Sequence, residues 1–145
     1  MSSDRDQILD SLFDERTVDV VTTGRRTGRA RVTEIWTTCL FGQVFICGTP
    51  NAGRDGVERT PRDWLANLLA EPRLILRLKN GADADLPATA EPVTDPGERR
   101  RILSEPSTEY YRNAVSLDVA VARSPIVRLT FVDDAAWLNE AVASR

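Results

Sequence analysis

The chain contains no histidine and a single lysine, Lys79, so eighteen of its nineteen basic residues are arginine. Without imidazole there is no Ser-His-Asp or Cys-His machinery and no histidine general base. Its two cysteines, Cys39 and Cys47, sit in apolar runs. They are too few for a zinc site and read as small core hydrophobes rather than as a disulfide. No paired-carboxylate spacing stands out, so no metal site is expected. Any chemistry therefore belongs to a cofactor that the protein orients and tunes. No apolar run reaches the ~18 residues of a membrane helix. The N-terminal Ser2-Ser3-Asp4-Arg5-Asp6 is polar, without the apolar stretch of a signal peptide, and a cytoplasmic protein is expected. Positive charge is not in surplus either: 19 Lys+Arg stand against 22 Asp+Glu, a net charge of −3. That balance denies the chain the domain-wide basic field of a nucleic-acid binder.

What is present suffices for a core. With 145 residues and 41% hydrophobic content, residues 1–145 read as one globular domain. Ile8, Leu9, Leu12 and Phe13 recur at helical spacing between Ser3 and about Glu15, behind Ser2 or Ser3 as N-cap. Val18, Val20 and Val21 run into Thr22 and Thr23 as a strand over about 17–23, followed by a second over 29–40. Residues 44–49 form a third, buried strand. After a loop from Pro50 to Thr60, Pro61 fits the first turn of a helix that stops before Pro72. Leu74–Leu78 is a strand, Asn80-Gly81 a turn, and Ala84–Pro92 a further strand. Asp95 opens a helix through Leu103. Ser107 to Val115, with Tyr110 and Tyr111, reads as helix or ordered loop, and 104–124 as a whole as an irregular segment. Ile126–Phe131 is the last strand and 133–143 a closing helix. Short turns between strands, with helices inserted, predict an α+β fold built on a small barrel of about six mainly antiparallel strands.

Two motifs carry the functional signal. Thr22-Thr23-Gly24-Arg25-Arg26-Thr27-Gly28-Arg29-Ala30-Arg31 puts four arginines and two glycines at the apex and flanks of a hairpin. Glycines there can take positive φ, leaving main-chain N–H groups and guanidiniums to converge on an anion at an exposed tip. Two readings stay open on these residues alone: a solvated loop, or a site for a small anion. The second motif, Pro61-Arg62-Asp63-Trp64-Leu65-Ala66-Asn67-Leu68-Leu69-Ala70-Glu71-Pro72, sets an aromatic and an amide one helical turn apart. Together the motifs describe a cleft for a flat cofactor with an acidic tail.

In their order and spacing, with Trp36 and Gly48-Thr49-Pro50 between them, these motifs resemble the deazaflavin-dependent nitroreductase family over roughly residues 17–132. That family belongs to the flavin/deazaflavin oxidoreductases, whose split β-barrel is like that of pyridoxamine 5′-phosphate oxidase. The resemblance implies coenzyme F420, its phosphate and glutamate tail against Arg25, Arg26, Thr27 and Gly28, with Arg31 and Thr33 just beyond. It implies a ring site at Ile35, Trp36, Thr49, Pro50 and Asn51, Thr49 lying near the reactive edge. Trp64 and Asn67 would brace the wall, Trp64 more through packing than as a ligand. The 50–61 loop is longer than the family's and Pro50 replaces a position often basic or glycine, so Arg54 or Arg59 would supply charge there. Tyr110 and Tyr111 stand where relatives present tyrosines to substrate, the other reading being one core and one surface ring. The implied activity is hydride transfer to an electron-poor acceptor such as a quinone or nitro compound, by a homodimer. FMN is the alternative cofactor. A non-catalytic binder of F420, haem or a lipid-like ligand is the alternative from another class.

Overall fold

The computed structural model describes residues 4–48, 63–113 and 115–145. Along the chain run α1 (Asp4–Asp14), β1 (Thr17–Thr23), β2 (Ala30–Leu40), β3 (Gln43–Cys47), α2 (Asp63–Ala70), β4 (Arg73–Leu78) and β5 (Ala84–Pro92). They are followed by α3 (Pro96–Leu103), a 3₁₀ turn Pro106–Thr108, α4 (Glu109–Asn113), α5 (Leu117–Arg123), β6 (Ile126–Phe131), a 3₁₀ turn Asp133–Ala135 and α6 (Trp137–Ala143). The six strands close into an antiparallel barrel in the order β1-β2-β3-β6-β5-β4. Closure removes the free sheet edges that would otherwise invite aggregation.

Alternation in the sequence decides which side chains enter the barrel. Val18, Val20 and Thr22 of β1 and Leu74, Leu76 and Leu78 of β4 are buried, while their neighbours face outward. With Val44, Ile46, Leu86, Ala88 and Leu129 they form the main core, into which α2 inserts Trp64 and Leu68. Each fully buried side chain of this size contributes about 1.5–3 kcal/mol. β3 is apolar on both faces, and β6 at its start, where helices cover the outer side. There Phe45, Cys47 and Ile126 pack with Ile102, Leu103, Tyr111, Ala120 and Val121 in a second cluster. Arg99 ties this cover down, donating to the main-chain oxygens of Val93 (2.8 Å), Val121 (2.7 Å) and Ser124 (2.5 Å).

The expected order of elements holds, with four differences. The 104–124 segment is helical rather than irregular; Ser116 N-caps α5, accepting from the Val119 N–H at 3.2 Å. The closing helix is split by the Asp133–Ala135 turn. β3 ends at Cys47, and Thr49 lies outside the described residues, as do Ser2, Ser3 and Pro61. At Asn80-Gly81 the chain does turn, but Gly81 has no positive φ. A Cβ there would stand 2.3 Å from Ser11 Oγ, which accepts from the Ala82 N–H at 2.6 Å, so closeness to α1 demands the glycine.

Candidate functional site

The β1–β2 register pairs Thr23 with Ala30 and leaves Gly24–Arg29 as the connecting loop. The loop closes on its own main chain: Gly24 N–H donates to Arg29 O and Gly28 N–H to Gly24 O, both at 2.8 Å. Arg29 N–H goes to Thr27 Oγ1 at 3.2 Å and Arg25 N–H to Asn67 Oδ1 at 3.1 Å. This corrects the expectation of a main-chain anion cradle, since those four donors are spent holding the turn. Only one of the two glycines has positive φ, Gly28 at 73°; Gly24 instead has no room, a Cβ there meeting Thr27 Oγ1 at 3.0 Å and Arg29 O at 3.2 Å.

Asn67 organises the base of the loop. It is 3% exposed in the middle of α2, and its oxygen accepts from both the Arg25 N–H and Arg25 Nη1 (3.0 Å). Its amide nitrogen donates to the buried Thr22 Oγ1 at 3.3 Å. Arg25 also meets Asp63 at 3.3 Å, so it is not the free side chain of an exposed tip. Gly24, Arg25, Arg26, Thr27, Arg31, Asp63 and Asn67 surround a recess of about 190 Å³. Among the described residues the guanidiniums of Arg26 and Arg31 have no acceptor. Two cations without an acceptor among the described residues, and a third held in place, can together meet an anionic group at this recess.

A second recess, of about 200 Å³, is lined by Glu34, Ile35, Trp36, Cys47, Gly48, Tyr110 and Tyr111. The Trp36 and Tyr110 rings lie 5.1 Å apart, and Tyr110 meets Tyr111 edge to face at 5.7 Å. Tyr110 is 55% exposed, whereas Tyr111 is 4% exposed and belongs to the second apolar cluster. Glu34 is joined by Lys79, which also bonds Asp19 at 2.9 Å, and these two bonds raise the Lys79 pKa. Burial pushes the thiols of Cys39 and Cys47 up to about 12, so neither is a nucleophile at neutral pH. Both are free, Cys47 buried and Cys39 partly so.

The described residues thus gather Arg25, Arg26, Thr27, Arg31 and Asn67 at one recess and Ile35, Trp36, Tyr110 and Tyr111 at the other. Thr33 lies between them on β2 and borders neither; Gly28 serves the turn; Trp64 is core, at 4% exposed. Thr49, Pro50, Asn51, Arg54 and Arg59 lie outside the described residues. Glu34, Asp63 and Cys47 join the recesses without a sequence motif to announce them. No group of three or more Cys, Asp or Glu that would hold a metal ion occurs among the described residues.

The fold is that of the split-barrel flavin-binding proteins. It matches a putative pyridoxamine 5′-phosphate oxidase from Listeria innocua with a TM-score of 0.63 at 9% identity, over 88% of this chain and 93% of that one. A putative 5-nitroimidazole antibiotic resistance protein from Bacteroides thetaiotaomicron gives 0.63 at 13% identity, over 89% and 78%. The general stress FMN/FAD binding protein from Xanthomonas citri gives 0.57 at 18% identity, over 87% and 82%. A comparison with curated proteins returns no significant match. The sequence model of the F420H(2)-dependent quinone reductases matches residues 13–126, and the chain belongs to that family. It is a deazaflavin-dependent oxidoreductase whose cofactor is F420.

Proposed function

We propose that residues 1–145 act as one cofactor-binding domain that reduces a quinone with F420H2. The observation that carries this reading is that one strand borders both recesses. Arg31 lies at the cationic recess and Ile35 at the aromatic one, ~13 Å apart along β2 at about 3.3 Å per residue. A cofactor held by its anionic tail at the first recess and a planar acceptor stacked at the second fit that spacing. Arg26 and Arg31 would hold phosphate and carboxylates of the tail, with Arg25 fixed between Asn67 and Asp63 as the third donor. A phosphate alone, as in FMN, leaves part of this donor set unused.

Bound reduced F420 supplies a hydride, and one further proton from solvent completes reduction of the quinone to the hydroquinone. The chain's own part is to bind, orient and stabilise developing charge. Trp36 and Tyr110 offer an aromatic wall against which a planar acceptor stacks. The Tyr110 or Tyr111 hydroxyl would donate to the acceptor oxygen. Thr49, Pro50, Asn51 and Arg54 are proposed to complete the ring site. Nitroaromatic compounds have the same flat, electron-poor character and are a second acceptor class.

The proposed homodimer has an available face. Val32, Val21, Ile75 and Pro87 are cross-strand neighbours in register on the outer barrel wall, and Val32 is 58% exposed. None of the described helices is long and apolar enough to cross a membrane. A cytoplasmic location is part of the proposal. Anaerobic mixing of F420H2, protein and a naphthoquinone tests the function: protein-dependent oxidation of F420H2 with matching quinone loss is expected, and none at saturating protein contradicts it.

A further inference from the structure

Helix α4 and the 3₁₀ turn before it belong to the helical cover, packing against α3 and α5. Yet Tyr110, on α4, must stand beside Trp36 of β2 for the acceptor recess to exist. A residue from neither element joins them. Arg16, just before β1, donates from Nη2 to the Ser107 main-chain oxygen at 2.6 Å. The same guanidinium lies 5.0 Å from the centre of the Trp36 ring. Its own main-chain oxygen accepts from the Thr37 N–H at 2.9 Å, which fixes the arginine backbone to β2 one residue beyond Trp36. Beside this contact the Thr38 and Ser107 hydroxyls meet at 3.0 Å.

We propose that Arg16 is a positioning residue for acceptor binding: it clamps the Pro106–Asn113 segment to β2 and so holds Trp36 and Tyr110 as the walls of the acceptor recess. This rests on the quinone-reductase reading for its functional consequence, while the clamp itself is a property of the free protein. A planar guanidinium can cover a ring with its face and donate to a carbonyl with its edge at the same time. An ammonium at this position does one or the other. The arginine has no carboxylate partner among the described residues, so its charge serves the ring and the carbonyl. It borders neither recess, and cofactor contacts are not expected to involve it.

The test compares Arg16→Ala, Arg16→Lys and Arg16→Gln in two measurements. In steady-state turnover with saturating F420H2, Arg16→Ala should raise the KM for a naphthoquinone by about tenfold, with kcat and F420 affinity within about twofold of wild type. Lys should restore part of that loss and Gln less. In the cofactor-free protein, Arg16→Ala should change the near-ultraviolet circular dichroism of Trp36, and the change should vanish in a Trp36→Phe background. Unchanged KM together with an unchanged spectrum overturns the proposal. So does a fall in F420 affinity or thermal stability that accounts for the lost activity in all three variants. Absence of turnover by wild type overturns the functional reading and the acceptor role with it, and the spectra still decide whether the clamp exists.

Discussion

Asn67 grips Arg25 at two points, its side-chain oxygen lying 3.1 Å from the arginine main-chain nitrogen and 3.0 Å from Nη1. One buried amide thereby fixes where the cationic loop leaves β1 and where its first guanidinium points. The same amide is anchored from behind by Thr22. A helix and a hairpin 42 residues apart in sequence are joined through one side chain. That joint makes the anion recess a built feature of the fold.

Asn67→Ala should therefore destabilise the protein, because it leaves the Arg25 N–H and Thr22 hydroxyl without their partner in a half-buried setting. A loss of about 1–3 kcal/mol is expected, measured as a lower urea midpoint with unchanged slope. F420 affinity should fall with it. Asn67→Leu, which packs but does not bond, should give the same affinity loss.

Arg26 and Arg31 offer the converse case. Neither has an acceptor among the described residues, so Arg26→Ala and Arg31→Ala should leave thermal stability nearly untouched. Each should weaken F420 binding by about tenfold or more, at ~1.5–3 kcal/mol per charge-assisted hydrogen bond. Arg25→Ala should cost both affinity and stability, since its side chain is shared with Asn67 and Asp63. Isothermal titration beside thermal melts separates the two patterns.

The two adjacent tyrosines should divide cleanly. Tyr111→Ala removes a ring from a packed cluster and should destabilise by about 3–5 kcal/mol, as for other large aromatic truncations. Tyr110→Ala should spare stability and raise the acceptor KM. If the Tyr110 hydroxyl aids the acceptor oxygen, Tyr110→Phe should lower kcat while leaving F420 affinity alone. Equal turnover of Tyr110→Phe and wild type would confine that ring to stacking.

The cysteines predict a pH effect. Both thiol pKa values are raised by burial from 9.0 to about 12. Between those values the unfolded chain loses protons that the folded chain keeps, so stability should fall as pH rises from about 9 towards 12. Below pH 9 the cysteines should contribute no slope. Iodoacetamide at pH 8 should label the native protein far more slowly than the urea-unfolded one.

The barrel was legible because alternation in β1, β4, β5 and β6 and the doubly apolar β3 each specify burial directly. The hairpin arginines and Asn67 were legible as a motif, though not as a mechanism: the spending of Gly24 and Gly28 N–H groups on turn closure depends on tertiary geometry. α5 carried a readable Ser116 cap, overlooked because Leu117–Arg123 is barely two turns long and its burial is set by α3. Arg16 had no local signal at all. Its partners Trp36 and Ser107 are 20 and 91 residues away along the chain, and no spacing rule connects them.

The central claim is that the cationic recess on β2 is built for the long anionic tail of F420. Its most direct test is a paired binding titration of the purified protein with F420 and with FMN in the same low-salt buffer, repeated as salt is raised. Tighter binding of F420, weakening with ionic strength and reduced in Arg26→Ala and Arg31→Ala, is the predicted result. Equal or stronger binding of FMN under the same conditions would contradict it.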